Sequence, residues 1–195
     1  MTSKYNIFLK TILEDIIPKT KISINQGNKI FGAAILKKSD YSLVCVGTNN
    51  EIINPLFHGE ISTLINFYNI PFNKRPNPKD CFFLSTHEPC SLCLSAITWS
   101  GFNNFYYFFP YEETKNKFNI PHDLKILKEV FKVNNGKYKK NNNYWKSYSI
   151  IDSIRKSKNY QKSKFDININ KINKIYKNFS KIYQKKKKNK NIPLK

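Results

Sequence analysis

The sequence predicts an α/β fold, a three-layer α/β/α sandwich with a central mixed sheet of about five strands. Helix-type and strand-type segments follow the order α-β-β-α-β-α-β-α-α along 195 residues. This length is sufficient for one ordinary domain with a buried core. In the segment 104–109, every residue after Asn104 is aromatic, which is typical of a strand covered by helices on both sides. Helices on both faces of a sheet define three layers.

The N-terminal segments follow recognisable periodicities. Apolar residues at helical spacing predict an amphipathic helix over residues 5–17, which Pro18 should end. Two β-type runs, 29–36 and 42–47, are separated by a polar turn and predict a hairpin. Gly32 inside the first run indicates a bulge or a close backbone approach to a ligand.

The middle of the chain continues the alternation of helices and strands. The pattern predicts a helix over residues 58–68 and, after a loop rich in Pro, Asn and Lys, a short apolar strand over 81–85. Residues 90–99 are almost wholly apolar after their cysteines. A helix that is apolar on every side is a buried one, so Trp99 is expected in the core.

The C-terminal part is predicted to be helical, with segments at 124–131 and 144–154. From about residue 155 the composition changes to Lys, Asn, Ile and Tyr, and apolar spacing over 172–183 favours a basic amphipathic helix. The chain is therefore divided into a main domain, 1–154, and a Lys/Asn-rich basic extension, 155–195, that is partly helical or disordered.

The net charge of +21 is concentrated in the second half of the chain. Residues 1–110 carry a net charge of +3 and residues 111–195 carry +18. A lysine-rich helix neutralises phosphates without reading base sequence, so this region could contact tRNA. The alternatives are a solvated tail, an acidic partner, and nuclear targeting through Lys185–Lys188.

The absence of long apolar runs argues against membrane insertion. No run approaches the 18 residues of a membrane span, and the N-terminus lacks the apolar block of a signal peptide. We therefore expect no membrane contact and a cytoplasmic or nuclear location with reduced thiols. Cys45 and Cys81 lie in apolar strand-like runs and are interpreted as core residues.

Two short motifs carry the chemistry, His58-x-Glu60 and, downstream, Cys90-x-x-Cys93. One histidine and two cysteines are three ligands for a tetrahedral Zn²⁺, which leaves a fourth position for water. Glu60 is then a ready general acid/base for that water. Cys90 and Cys93 are three residues apart at a predicted helix start, hence on one face, where the helix dipole favours thiolate.

A closed structural zinc site is the alternative to this catalytic interpretation. It needs a fourth protein ligand, and His87 is the candidate because it lies three residues before Cys90. A closed site would leave Glu60 without a purpose, so the open site is favoured.

With these residues in place, the chain resembles the zinc-dependent cytidine/deoxycytidylate deaminase-like superfamily, in the branch of cytosine, guanine and tRNA adenosine deaminases. The segment His58-Gly-Glu-Ile-Ser-Thr-Leu64 is similar to that of fungal-type cytosine deaminases. Glu88-Pro-Cys-Ser-Leu-Cys93 is nearer to tRNA adenosine and guanine deaminases. The resemblance covers residues 29–110 and implies hydrolytic deamination of a nucleobase or nucleoside, cytosine-type favoured, with Glu60 as proton shuttle.

The resemblance also implies alternatives, substrate contacts and an assembly. The alternatives are a tRNA adenosine deaminase that forms inosine and a non-catalytic zinc-binding subunit. An upstream asparagine, Asn49 or Asn50, would contact the base or nucleoside, and aromatic residues such as Phe108 and Trp145 would close the pocket. A homodimer is expected, as is common for this fold.

Overall fold

A five-stranded mixed sheet lies between two layers of helices in the computed structural model, which describes residues 3–157, 162–187 and 192–194. The strands are β1 Gly32–Lys37, β2 Leu43–Thr48, β3 Cys81–His87, β4 Asn104–Phe109 and β5 Lys146–Ser149. The helices are α1 Lys4–Thr11, α2 Ile17–Gln26, α3 Gly59–Tyr68, α4 Ser91–Trp99, α5 Tyr111–Phe118, α6 His122–Glu129, α7 Ile150–Arg155 and α8 Lys162–Lys186. The predicted fold class is confirmed.

The strand order is β2-β1-β3-β4-β5. The predicted hairpin of β1 and β2 is antiparallel, and β3 is antiparallel to β1 on the other side. The remaining pairs, β3 with β4 and β4 with β5, are parallel. As a result the C-terminal ends of β3 and β4, with the segments that leave them, lie at one edge of the sheet.

Each face of the sheet carries its own core. On β3, Phe83 belongs to the cluster that packs under α3 and α4, whereas Leu84 belongs to the cluster under α1, α2, α5, α7 and α8. On β4, Phe105 and Tyr107 face the first cluster and Tyr106 the second. This alternation follows from the two-residue period of a strand. Tyr107 is only 3% exposed.

The start of α3 is pressed against β1 by two glycines. A Cβ atom on Gly59 would lie 2.8 Å from Cα of Gly32, closer than real Cβ contacts allow. Gly32 therefore marks a close backbone approach, and the segment that approaches it is the start of α3 at Gly59. The residues that flank Gly59, His58 and Glu60, are held directly over the sheet by this contact.

The prediction that Pro18 ends the first helix is wrong. The helix continues from α1 through a π-helical turn, Ile12–Ile16, into α2, with Pro18 in the first turn of α2. Proline lacks an N–H and its ring clashes with the carbonyl four residues earlier. The wider π-turn immediately before it changes the hydrogen-bond pattern at this point, so the chain continues as a helix.

The predicted helix over 144–154 is wrong in its first half. Lys146–Ser149 forms β5 and pairs with Asn104–Tyr107 of β4. Helix α7 begins only after Ser149, whose hydroxyl accepts a hydrogen bond from Asp152 N at 3.2 Å. A short strand at the edge of a parallel sheet carries little periodicity of its own, so tertiary pairing decides it.

Helix α4 is not buried on every side, contrary to expectation. Among its residues only Cys93 and Ile97 are buried, whereas Leu92 is 38% and Trp99 91% exposed. The helix lies in the outer layer, so its apolar residues on the far side remain uncovered in the chain. The prediction that Trp99 lies in the core is therefore wrong.

Helix α8 packs on the main domain. Its residues Phe165, Ile172 and Tyr176 belong to the same core cluster as α1 and α2, so the described part of α8 shares a core with residues 1–154. Of the basic segment Lys185–Lys188, Lys188 lies outside the described residues. No helix among the described residues is long and apolar enough to cross a membrane.

Candidate active site

The ligand atoms of His58, Cys90 and Cys93 meet at the starts of two helices. His58 and Cys90 are the residues that immediately precede α3 and α4. His58 Nδ1 lies 3.4 Å from Cys90 Sγ and 3.7 Å from Cys93 Sγ, and the two sulfur atoms are 3.6 Å apart. A tetrahedral zinc ion with Zn–S of about 2.3 Å and Zn–N of about 2.0 Å separates its ligand atoms by about 3.5–3.8 Å. The three residues therefore fit a zinc ion.

The charges of the three side chains are coupled. Hydrogen bonding from Cys93 and then from His58 holds the pKa of Cys90 well below its usual range, although burial opposes this. Burial and the neighbouring Cys90 raise the pKa of Cys93. Burial would lower the pKa of His58, but the hydrogen bond and charge of Cys90 raise it to about 9. The group thus favours a thiolate, the form that binds metal.

Glu60 lies beside this group in the first turn of α3. Its Oε2 is 3.3 Å from Cys93 Sγ, and its Oε1 is 2.7 Å from the hydroxyl of Ser85. The side chain is buried, and burial is the main cause that raises the pKa of its carboxyl. Ser85, near the end of β3, was not singled out from the sequence because a serine in an apolar strand has no local pattern that marks it.

The two asparagines differ in their surroundings. Asn49 is buried, and both ends of its amide are engaged: Oδ1 accepts from Gly59 N at 2.6 Å and Nδ2 donates to Glu51 at 2.9 Å. It therefore supports the start of α3. Asn50 is half-buried and bonds through its backbone N–H to Phe57 O at 2.7 Å.

The two aromatic residues predicted to contact substrate are not brought to the zinc ligands. Phe108 is fully buried in the core cluster beneath α1 and α8. Trp145 lies in the opposite cluster, where its indole N–H donates to Thr98 at 2.7 Å. Neither is among the described residues that line the cavities at His58. The alternation of sides along β4 directs the Phe108 ring into one core, and the Trp145 ring, just before β5, enters the other.

His87 does not join the ligand group, since the described residues placed to hold a metal are His58, Cys90 and Cys93. Its Nδ1 lies 3.0 Å from the hydroxyl of Thr86 and its ring packs against aromatic side chains, among them Phe31. Burial lowers the pKa of His87 well below its usual value. The arrangement supports the site with an open position over the closed one.

A cavity of about 250 Å³ opens onto His58 and Cys90. Its walls combine apolar side chains with a few polar ones; they include Lys29, Glu51, Leu92, Ile120, Asp123, Ile126, Ile192 and Leu194. A small adjoining void of about 10 Å³ is lined by His58, Glu60 and Asp123, among others. A larger groove of about 570 Å³, along β2 and α2, contains none of the zinc ligands.

Asp123, in the first turn of α6, was missed from the sequence. It borders both the cavity and the void, and burial, followed by the charge of Cys90, raises the pKa of its carboxyl. Nothing in the local sequence marks it, because it lies 30 residues beyond the second cysteine motif and reaches the site only through the packing of α6.

The fold and this three-ligand group define a class of zinc-binding α/β proteins with an open metal position beside a buried carboxylate. Residues 9–109 match the cytidine and deoxycytidylate deaminase zinc-binding region, and the chain belongs to this family. Family membership and the His58, Cys90 and Cys93 geometry together identify Zn²⁺ as the cofactor.

Individual relatives differ in what they act on. A cytosine deaminase of Candida albicans is 33% identical over 92 residues, which are 46% of this chain and 59% of that protein's length. The structure of a guanine deaminase from Bacillus subtilis is 25% identical, with a TM-score of 0.52, over 62% of this chain and 75% of that one. A structure from work on tRNA:A34 deaminases, 15% identical, covers 72% and 97% with a TM-score of 0.51 and shows the fold alone.

Proposed function

We propose that the protein is an enzyme that catalyses the hydrolytic deamination of a nucleobase, with cytosine as the favoured substrate. The observation that carries the proposal is the position of Glu60, buried next to Cys93 and fixed by Ser85 at the edge of the ligand group. A carboxylate in a purely structural zinc site has no comparable reason to lie there. His58, Cys90 and Cys93 are proposed as the zinc ligands.

Glu60 is proposed as the proton carrier. Zinc held by the three ligands would supply a water molecule whose pKa is lowered to about 7. Glu60 would take one proton from this water and give it to the ring nitrogen, and would then carry the water's second proton, from the new hydroxyl group, to the leaving amine. A C–O bond forms at the amino-bearing carbon, C4 in cytosine, the C–N bond breaks, and the amine leaves as ammonia.

The preference for a small base rests on the cavity and on the relatives. Its volume of about 250 Å³ is below the range of about 300–1,000 Å³ typical of sites for drug-sized ligands. Ile120 and Ile192 offer apolar walls, and a carboxyl oxygen of Asp123 can accept a hydrogen bond from a ring N–H. The 33% identity to a cytosine deaminase favours cytosine among the small bases. The predicted role of Asn49 and Asn50 in orienting the base is kept as part of this proposal, although both line the groove along β2 and not the cavity at His58.

Exposed lysines support a second candidate, deamination of adenosine in tRNA. The outer side of α8 presents lysines three or four residues apart, which align along one face of a helix; they are Lys171, Lys174, Lys177, Lys181 and Lys185. Such a stripe suits contact with a phosphate backbone. Ile192, which follows α8 in the sequence, lines the cavity at His58.

Ammonia release from zinc-loaded protein tests the proposal. The substrates are cytosine, cytidine, guanine and an anticodon stem-loop, each at low salt. Turnover of cytosine supports the first candidate. Turnover of guanine alone would support hydrolytic deamination but would show that cytosine is not the substrate. Turnover of the stem-loop alone, lost in K174S/K177S/K181S, supports the second candidate. No turnover of any substrate with one zinc per chain supports a non-catalytic subunit.

A further inference from the structure

The carboxylate of Glu51 is buried at the centre of a polar network beside the metal ligands. It follows β2 in the loop that leads to α3 and is 3% exposed. Lys29 donates to it twice, from Nζ at 2.5 Å and from the backbone N–H at 3.3 Å, and Asn49 Nδ2 donates at 2.9 Å. Because three donors converge on the two oxygens, the position of this carboxylate is closely defined.

This carboxylate faces the side of His58 that points away from the sulfur atoms. Glu51 Oε1 is 3.8 Å from His58 Nε2, an ion-pair distance and not a hydrogen bond. The other ring nitrogen, Nδ1, is the one that faces Cys90 and Cys93. His58 therefore stands between a negative carboxylate and the two sulfur ligands.

We propose that Glu51 is a positioning residue for the zinc ligand His58. A negative charge next to Nε2 favours the tautomer that carries its proton there, which leaves the lone pair of Nδ1 for the metal. Carboxylates placed behind ligating histidines act in this way in metal sites generally, and they orient the ring as well. The inference rests on the proposed function only in treating His58 as a zinc ligand.

Lys29 and Asn49 are the means by which Glu51 is held. Lys29 supplies the opposite charge without which a carboxylate buried this deeply would be costly. Asn49 connects Glu51 to the backbone N–H of Gly59, directly after His58. The same network thus fixes both the carboxylate and the start of α3 that carries the histidine. A buried ion pair that serves only the fold is the competing explanation.

Zinc affinity distinguishes the two explanations, measured by chelator competition together with the absorption spectrum of the Co²⁺-substituted protein. E51Q should weaken zinc binding by about 10–100-fold and alter the cobalt spectrum. E113Q is the matched control, because Glu113 pairs with Lys117 on the surface, and its affinity should not change. In E51Q the buried ammonium of Lys29 loses its partner. The double variant K29M/E51Q removes this unpaired charge as well, but it does not restore the carboxylate.

Weak zinc binding in both E51Q and K29M/E51Q supports the proposal. Unchanged affinity in E51Q overturns it, and so does an affinity restored in K29M/E51Q, since the loss would then have come through the fold. Deamination is assayed separately on the same preparations. If the protein deaminates none of the substrates but both variants bind zinc weakly, the proposed function is contradicted and this inference stands. If the protein deaminates a substrate and E51Q binds zinc with unchanged affinity, only this inference is contradicted.

Discussion

The hydroxyl of Ser85 lies 2.7 Å from Oε1 of Glu60, and this contact joins the end of β3 to the first turn of α3. The same hydroxyl is 2.6 Å from the backbone carbonyl of His87. Both neighbours are buried, so the serine restricts the Glu60 carboxylate to one orientation beside Cys93. The site is therefore held together between elements 25 residues apart in sequence.

Replacing Ser85 by alanine should reduce turnover without removing zinc. The carboxylate of Glu60 loses one of its contacts, and small misplacements of a catalytic group can cost up to about 100-fold in rate. The free energy of unfolding should fall by only about 1 kcal/mol for the lost hydrogen bond. Steady-state kinetics, zinc analysis and urea unfolding measure the three quantities. S42A, which removes an exposed hydroxyl that hydrogen-bonds Asp40 in the turn before β2, is the control, and equal rates in both variants would contradict the role of Ser85.

The variant E60Q should keep one zinc per chain and lose turnover by about 10²–10⁴-fold, the usual contribution of a general acid/base. Glutamine has nearly the same shape but cannot carry the proton. C90S, in contrast, should lose zinc, because a hydroxyl is a poor replacement for a thiolate ligand. Metal analysis and ammonia release distinguish the two. Undiminished turnover in E60Q would exclude Glu60 as the proton carrier.

His87 should make the protein less stable in acid. Its pKa in the folded state is far below 6.5 because of burial, so below pH 6.5 the unfolded chain binds a proton that the folded chain does not. Stability is therefore complete above about pH 6.5 and is lost as the pH falls towards the lower folded-state pKa. Between pH 7 and pH 5 this amounts to about 2 kcal/mol.

The variant H87F removes the titrating group while keeping an aromatic ring among the neighbouring rings. Urea unfolding measures how much the free energy of unfolding falls from pH 7 to pH 5. This fall should be about 2 kcal/mol smaller in H87F than in the unmodified protein. Equal losses in the two proteins would mean that His87 accepts a proton in the folded state.

Helix α8 should be necessary for the stability of the main domain. Tyr176 is completely buried and packs against Phe109 and Phe118, so Y176A should cost about 3–5 kcal/mol. Tyr144 is 71% exposed, and Y144A should change the free energy of unfolding by less than about 0.5 kcal/mol. A small effect of Y176A in thermal or urea unfolding would indicate an extension that is independent of the domain.

The exposed indole of Trp99 offers a test of the expected homodimer. An apolar side chain that is 91% exposed on a helix with Leu92 also uncovered is a suitable partner contact. W99S should shift the protein from dimer to monomer in sedimentation velocity, with little change in the monomer's stability. F72S is the control, since Phe72 is equally exposed in a loop. A dimer that persists in W99S would exclude α4 as its interface.

Local patterns determined the main strands, the helix starts and the metal ligands. The spacings His58-x-Glu60 and Cys90-x-x-Cys93 are short, so backbone geometry alone brings each pair to one helix start. The two-residue alternation of β3 and β4 is likewise a property of the local backbone, and it predicts which side chains share a face of the sheet. These features require no knowledge of distant contacts.

Only the tertiary structure decided which other groups meet the ligands. The register of the sheet brings Ser85 to the site, the path of the loop after β2 brings Glu51, and the packing of α6 brings Asp123. The local spacing of residues does not predict any of these positions. Sheet pairing likewise made a strand of residues 146–149, and the outer position of α4 left Trp99 in solvent. The physical reason is the same throughout: short-range periodicity describes one element, whereas burial and side-chain partners depend on which elements pack together.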